Sequence, residues 1–394
     1  MCSYTFQIVK QHSNQRPQRS SSSASKKTGS TSIRPFTTSD FPDSPPCSPA
    51  SVSSNPGATV ENTKNEASDM IALRETQTLC ADDFVMQRTI GVGSFGRVIA
   101  GESKGNHKYY AIKIMYKDEI VRLKQVEHIE SERKILLNIA HPYIVNLWST
   151  FQDASSVYMV MDYVPGGELF QLLRSQKSFP SAQARFYASE TLLAIAYLHS
   201  KDIIYRDLKP ENILLDAEGH VKLTDFGFAK HVPDNTWTLC GTPDYLAPEV
   251  IQSKGYGKPA DYWSLGVLIY EMLAGYPPFY DADQFKMYEK ICKCKPKFPL
   301  HFESSARHLL KRLLTTNLSK RLGNLRHGCR DVMNHRWFHS MDFDALSQRK
   351  VKPPYAPKLQ HERDTSNYDT YDERGSEKPD SGNQQDYGSA FSDF

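Results

Sequence analysis

Tyr205-Arg206-Asp207-Leu208-Lys209-Pro210-Glu211-Asn212 is followed, after a short apolar hairpin (Ile213 to Leu215, Val221 to Leu223), by Asp225-Phe226-Gly227. Three polar anchors, Asp207, Asn212 and Asp225, are thereby held on loops between strand-like segments. Carboxylates and an amide oxygen are hard ligands that suit Mg²⁺ carrying substrate phosphates. An acid left off the metal can accept a proton from a nucleophilic hydroxyl. Each residue alone is also a common turn former. All of them together, in this order, are not accidental.

Outward from this stretch, the chain changes texture at Pro165-Gly166-Gly167. Before it run short alternating segments, Phe84 to Met86, Arg97 to Ala100 and Tyr109 to Ile114, expected as strands of a small antiparallel sheet. A helix is expected over 124–139, then strands over Ile144 to Phe151 and Val157 to Tyr163. After the change the pattern is mostly helical, with a long helix from Ser181 to His199. A β-rich lobe precedes an α-rich one, joined near Asp162 to Gly167, and a ligand belongs in the cleft between them. Gly91-x-Gly93-x-x-Gly96 alone fits a dinucleotide loop too, but a strand, Arg97 to Ala100, follows it where such a loop would open a helix. A hairpin that brings backbone N–H groups to phosphates is the better fit. Seventeen residues on stands Lys113, and Glu132 sits within the apolar helical stripe of Val126, Ile129 and Leu136. A carboxylate aimed at a core needs a cation, and Lys113 is the candidate.

The chain has 394 residues, 39% of them hydrophobic, with no apolar run of about 18 residues and no transmembrane segment expected. It starts Met-Cys-Ser-Tyr, without a secretory or Met-Gly acylation signal. Seven cysteines without a C-x-x-C pair read as reduced thiols. The expected compartment is the cytoplasm, with the nucleus as a second. Residues 1–60 hold 15 Ser and 7 Pro and read as a disordered extension; residues 61–83 read as a short helix and linker. The extension carries six Lys/Arg against two acids, and residues 361–394 carry nine acids against three bases, so the ends differ in sign and no nucleic-acid partner is implied.

Taken together, the glycine hairpin, Lys113, Glu132, the 205–212 loop and Asp225-Phe226-Gly227 resemble the protein-kinase signature, over residues 84–338. Tyr205 in place of the usual His, the run Thr236-Trp237-Thr238-Leu239-Cys240-Gly241-Thr242-Pro243 and the Phe391-Ser392-Asp393-Phe394 end are similar to the AGC group, and within it to the cAMP-dependent catalytic subunits. The resemblance implies a bilobal α+β fold: a small β-rich lobe over 84–162, a larger α-rich lobe over 168–338, an ATP cleft between them, and a tail over 339–394.

By the same resemblance Gly91, Gly93, Ser94, Phe95, Gly96 and Val98 cover ATP, while Lys113, paired to Glu132, binds its phosphates. Asn212 and Asp225 hold Mg²⁺; Asp207 is the base, with Lys209 and Thr242 beside it. Thr238 matches an activation-loop phosphorylation site, faced by Arg206, Lys230 and His128. Glu168, Glu211 and Glu271 match acids that read arginines before the phosphoacceptor, and Leu239, Pro243 and Leu246 favour a hydrophobic residue after it. Glu249 and Arg321 match a buried pair, and Asp261 a brace of the catalytic loop. Phe391 and Phe394 are expected to dock on the small lobe. Trp237, Lys254 and Tyr288 match residues that dock a cAMP-binding regulatory subunit. Asp244 and Tyr368 depart from the usual Glu and Phe, and the Tyr368 hydroxyl needs a partner. The implied function is a serine/threonine kinase acting on Arg-Arg-x-Ser/Thr-hydrophobic sequences; the alternatives are an AGC kinase with another regulator and a pseudokinase scaffold.

Overall fold

The computed structural model describes residues 79–371 and 387–394. The expected disordered extension and most of the expected 61–83 helix fall outside them; Ala81–Asp83 form a single 3-10 turn. The small lobe is one antiparallel sheet of β1 (Phe84–Gly93), β2 (Gly96–Ser103), β3 (Tyr109–Tyr116), β4 (Leu147–Gln152) and β5 (Ser156–Asp162), ordered β1-β2-β3-β5-β4. β5 lies between two neighbours and is buried on both faces, so its sequence Ser-Val-Tyr-Met-Val-Met reads as an unbroken apolar run. After β3 come α1 (Lys117–Arg122) and α2 (Val126–Leu137). The inner face of α2 buries Ile129, Glu132, Ile135 and Leu136.

One expected strand is shorter than its sequence suggests: β4 begins at Leu147, not at Ile144. Ile144 instead makes a bridge to Leu223 in the other lobe, Val145 N–H donates to the Leu223 carbonyl at 3.0 Å, and Leu223 N–H to the Tyr143 carbonyl at 2.9 Å. Those backbone groups are taken by the large lobe, so they cannot join the sheet.

The large lobe holds α3 (Leu169–Gln176), α4 (Ser181–Ser200), β6 (Ile203–Ile204), β7 (Ile213–Leu215), β8 (Val221–Leu223), β9 (Lys230–His231), α5 (Pro248–Ile251), α6 (Pro259–Ala274), α7 (Gln284–Lys293), α8 (Ser304–Leu313), α9 (Cys329–Met333) and α10 (Phe343–Ser347). β7 pairs antiparallel with β8 over the two segments read from sequence, Ile213 opposite Leu223. α6 is the lobe's axis: Trp263, Leu265, Val267, Leu268 and Ile269 are all fully buried, as expected of a helix that is apolar all round. Beside it Glu249 and Arg321 form the expected buried pair, bidentate at 2.6 and 2.9 Å. Removing either partner would strand a charge at a cost of about 3–5 kcal/mol. Among the described residues no helix is long and apolar enough to cross a membrane.

The tail returns to the sheet. Tyr163 donates to the Asp364 carbonyl at 2.6 Å, Asn367 Nδ2 to the Pro165 carbonyl at 2.9 Å, and Tyr368 to the Val164 carbonyl at 2.5 Å. The extra hydroxyl of Tyr368 therefore has its partner. Arg88 on β1 adds bonds to Thr365 and to the Tyr368 and Asp369 carbonyls. At the far end Phe391 is buried, its ring 5.6 Å from Lys117 Nζ, and Arg133 stands 5.3 Å over the Phe394 ring, so both aromatics dock on the small lobe as expected.

Candidate active site

A cleft of about 870 Å³ opens between the lobes, lined by Gly91, Gly93, Ser94, Phe95, Gly96 and Val98 above and by Lys113, Glu132 and Asp225 behind. β1 and β2 close on each other through the Gly93–Gly96 pair, with Ser94-Phe95 as the turn. Of the three glycines, Gly96 is the one demanded by space: a Cβ there would stand 2.0 Å from the Ile114 carbonyl oxygen. Lys113 Nζ reaches both Glu132 oxygens, at 2.7 and 2.9 Å. Burial alone would lower the Lys113 ammonium, but the Glu132 and Asp225 carboxylates around it shift it upward. A fixed cation therefore faces the cleft, in reach of an anionic ligand.

Below it, the catalytic loop is held from beneath. Asp261 at the start of α6 accepts the Tyr205 N–H at 3.0 Å, the Arg206 N–H at 2.9 Å and the His199 ring nitrogen at 2.7 Å. That brace keeps Arg206 in left-handed backbone, φ +70°, a conformation costly for a side chain of its kind. Asp207 is thereby presented inward, and its carboxylate accepts four hydrogen bonds. Oδ2 accepts from Lys209 Nζ and Asn212 Nδ2, both at 2.8 Å; Oδ1 accepts from the Thr242 hydroxyl at 2.8 Å and its N–H at 3.1 Å. Lys209 also touches the Thr242 hydroxyl at 3.0 Å. Asp207, Lys209, Asn212 and Thr242 are thus one hydrogen-bonded unit.

Asn212 spends its amide N–H₂ twice on Asp207, on the side chain and on the main-chain carbonyl at 2.9 Å, and among the described residues its oxygen has no hydrogen-bond donor. The described hydrogen bond to Asp225 is one backbone N–H, from Gly227 at 3.3 Å, so its carboxylate keeps acceptor capacity. An amide oxygen and a carboxylate are a hard donor set that fits Mg²⁺. Bound there, Mg²⁺ would neutralise phosphate charge.

Thr238 is exposed, and it lines the same cleft as Arg206 and His128. Tyr256 links it to the catalytic loop, donating to the Thr238 carbonyl at 2.5 Å and accepting from Arg206 at 3.3 Å. Lys230 Nζ donates to the hydroxyl of Thr236, two residues before Thr238, at 3.5 Å. Gly241, φ +105°, packs so closely on the loop that a Cβ would meet the Arg206 carbonyl oxygen at 2.6 Å.

The expected arginine-reading acids are short of cations. Burial first, then the Glu211 and Asp369 carboxylates, push Glu168 up to about 7. Burial also raises Glu211. Glu271 differs: it is held by Arg174 at 2.9 Å and by Tyr245 at 2.5 Å, and burial still raises it. Of the apolar trio, Leu246 is buried, Pro243 opens the 3-10 turn Pro243–Tyr245, and Leu239 is exposed. Asp244 keeps one buried oxygen without a hydrogen bond. The Tyr256 link and the Arg174 and Tyr245 grip on Glu271 were not anticipated. They join residues far apart in sequence, and no local spacing announces them.

Compared with known proteins, residues 84–338 match the protein kinase domain family. Cyclic-AMP-dependent protein kinase type 3 of Saccharomyces cerevisiae is 55% identical over 306 residues, covering 77% of each chain. The human cAMP-dependent protein kinase catalytic subunit PRKX is 52% identical over 291 residues, 74% of this chain and 81% of that one. The cAMP-dependent protein kinase catalytic subunit of Arthrobotrys oligospora is 53% identical over 314 residues, and the match spans 79% of this chain and 60% of that longer protein.

Proposed function

The chain belongs to the protein kinase family, in the AGC group with the cAMP-dependent catalytic subunits, and from that premise we propose that it is a serine/threonine kinase acting on basic sequences under a cAMP-binding regulatory subunit. ATP with Mg²⁺ is the family's phosphoryl donor. The observation that carries the activity is the hydrogen-bonded Asp207 unit beneath the Lys113–Glu132 pair. Lys113 binds phosphate oxygens, the glycine hairpin covers them, and Asp207 orients the substrate hydroxyl and accepts its proton. Lys209, already bonded to Asp207, steadies the transferred group. Each of these groups is positioned before substrate arrives, so little reorganisation remains at the moment of transfer.

A substrate guanidinium would relieve the repulsion between Glu168 and Glu211, which supports arginine before the acceptor. Trp237, 67% exposed and lying against Gly255, supports docking of a protein regulator on that face. The site of action is the cytoplasm. Incubation with Mg-ATP and an Arg-Arg-x-Ser-hydrophobic peptide tests the activity, with Asp207→Ala as the control. Adding regulatory subunit, with and without cAMP, tests the control; activity indifferent to both would leave an AGC kinase with another regulator.

A further inference from the structure

Asp162 stands where β5 leaves the small lobe, and its carboxylate gathers four hydrogen bonds. Oδ2 accepts from the Asn146 N–H at 3.1 Å and the Asn146 Nδ2 at 2.8 Å; Oδ1 accepts from Trp148 Nε1 at 2.7 Å. The fourth donor, Lys222 Nζ at 3.2 Å, comes from β8 of the large lobe and also reaches the Ile144 carbonyl at 3.4 Å. The Asp162 and Lys222 side chains are only 18% and 14% exposed, so solvent screens their attraction less than it would a surface pair.

Position matters as much as count. Side chains alternate along a strand, and Met161 lines the cleft, which puts Asp162 on the opposite side. The cluster therefore sits behind the connection between the lobes. The loop before β4 is fastened to β8 through Leu223, so Lys222 and Asn146 hold Asp162 in the frame of the large lobe. Trp148, on β4, holds it within its own sheet. Rotation of the lobes about residues 162–167 would draw Asp162 away from Lys222 and leave a partly buried charge unpaired.

We propose that the Asp162–Lys222 pair is a positioning restraint on lobe opening that slows release of the spent nucleotide. The proposal rests on the kinase function above, with ADP as the released product. Stopped-flow release of a fluorescent ADP analogue from the full chain tests it. Lys222→Met keeps the aliphatic stem and removes the cation; release should quicken by about three- to tenfold, as for loss of one partly buried pair, with KM for ATP rising and KM for peptide unmoved. Trp148→Phe deletes a bond to the same carboxylate inside the small lobe and should leave release unchanged. Release from Lys222→Met at the wild-type rate overturns the restraint; so does an equal rise in Trp148→Phe, which would reduce the cluster to local packing. Should Lys222→Met not fold, Lys222→Gln takes its place, with a smaller rise expected and parity with wild type overturning the proposal. A wild-type chain that binds no nucleotide sinks the kinase function and this restraint together, whereas normal binding with unaltered release sinks the restraint alone.

Discussion

Asp207 and Glu168 are both carboxylates beside the catalytic loop, yet their own chain supplies them in opposite ways. Asp207 receives an ammonium, an amide, a hydroxyl and a backbone N–H. Glu168 faces Glu211 and Asp369 and is offset only by Lys209 at a distance. The first cluster is finished before anything binds and suits a step that depends on placement. The second is incomplete until a cation enters, and so suits recognition.

Breaking the finished cluster should cost most. Asp207→Ala is expected to lower kcat by roughly 10²–10⁴-fold with KM for peptide little changed, measured by steady-state phosphotransfer. Thr238→Ala acts one step away, because a phosphate on Thr238 would bond Arg206 and fix the residue beside Asp207. We expect about a ten- to hundredfold loss of activity, and equal rates for wild type and variant after phosphatase treatment. Glu168→Gln tests the incomplete cluster: KM for an arginine peptide should rise roughly tenfold while kcat holds.

The pH dependence sharpens the same contrast. Glu168 in the free protein sits near 7, above its ordinary range, so its contribution to stability is present at low pH and lost as pH rises through that value. Arginine binding favours the ionised form. KM for the arginine peptide should therefore fall between about pH 6 and pH 8, and Glu168→Gln should flatten the profile. The smallest effect belongs outside both clusters: Tyr368→Phe removes one hydrogen bond to the hinge, about 0.5–1.5 kcal/mol, and should raise KM for ATP by a few fold at most.

Much of the site was legible because its parts are punctuated locally. The hairpin between Asn212 and Asp225 was marked by two apolar runs and appears with the same bounds. Glu132 betrayed itself as an acid in an apolar stripe, and the structure gives it Lys113. Where the sequence misled, a distant element had claimed the backbone. Ile144 has the composition of a strand, but Leu223 takes the hydrogen bonds of its neighbours. Asp162 was visible only as the start of the connection between the lobes, because its donors are 14 to 60 residues away and share no period with it.

The clasp of the tail on the hinge has a consequence for how the molecule comes to be. The bonds from Tyr163 to the Asp364 carbonyl and from Tyr368 to the Val164 carbonyl join residues 201 and 204 positions apart. Contacts so remote along the polypeptide are slow to form, since long loops must close before they are rewarded. During synthesis both lobes can collapse while the connection between them still awaits residues past 360. Nucleotide affinity should accordingly be the last property a nascent or refolding chain acquires, after its helices and sheet are already in place.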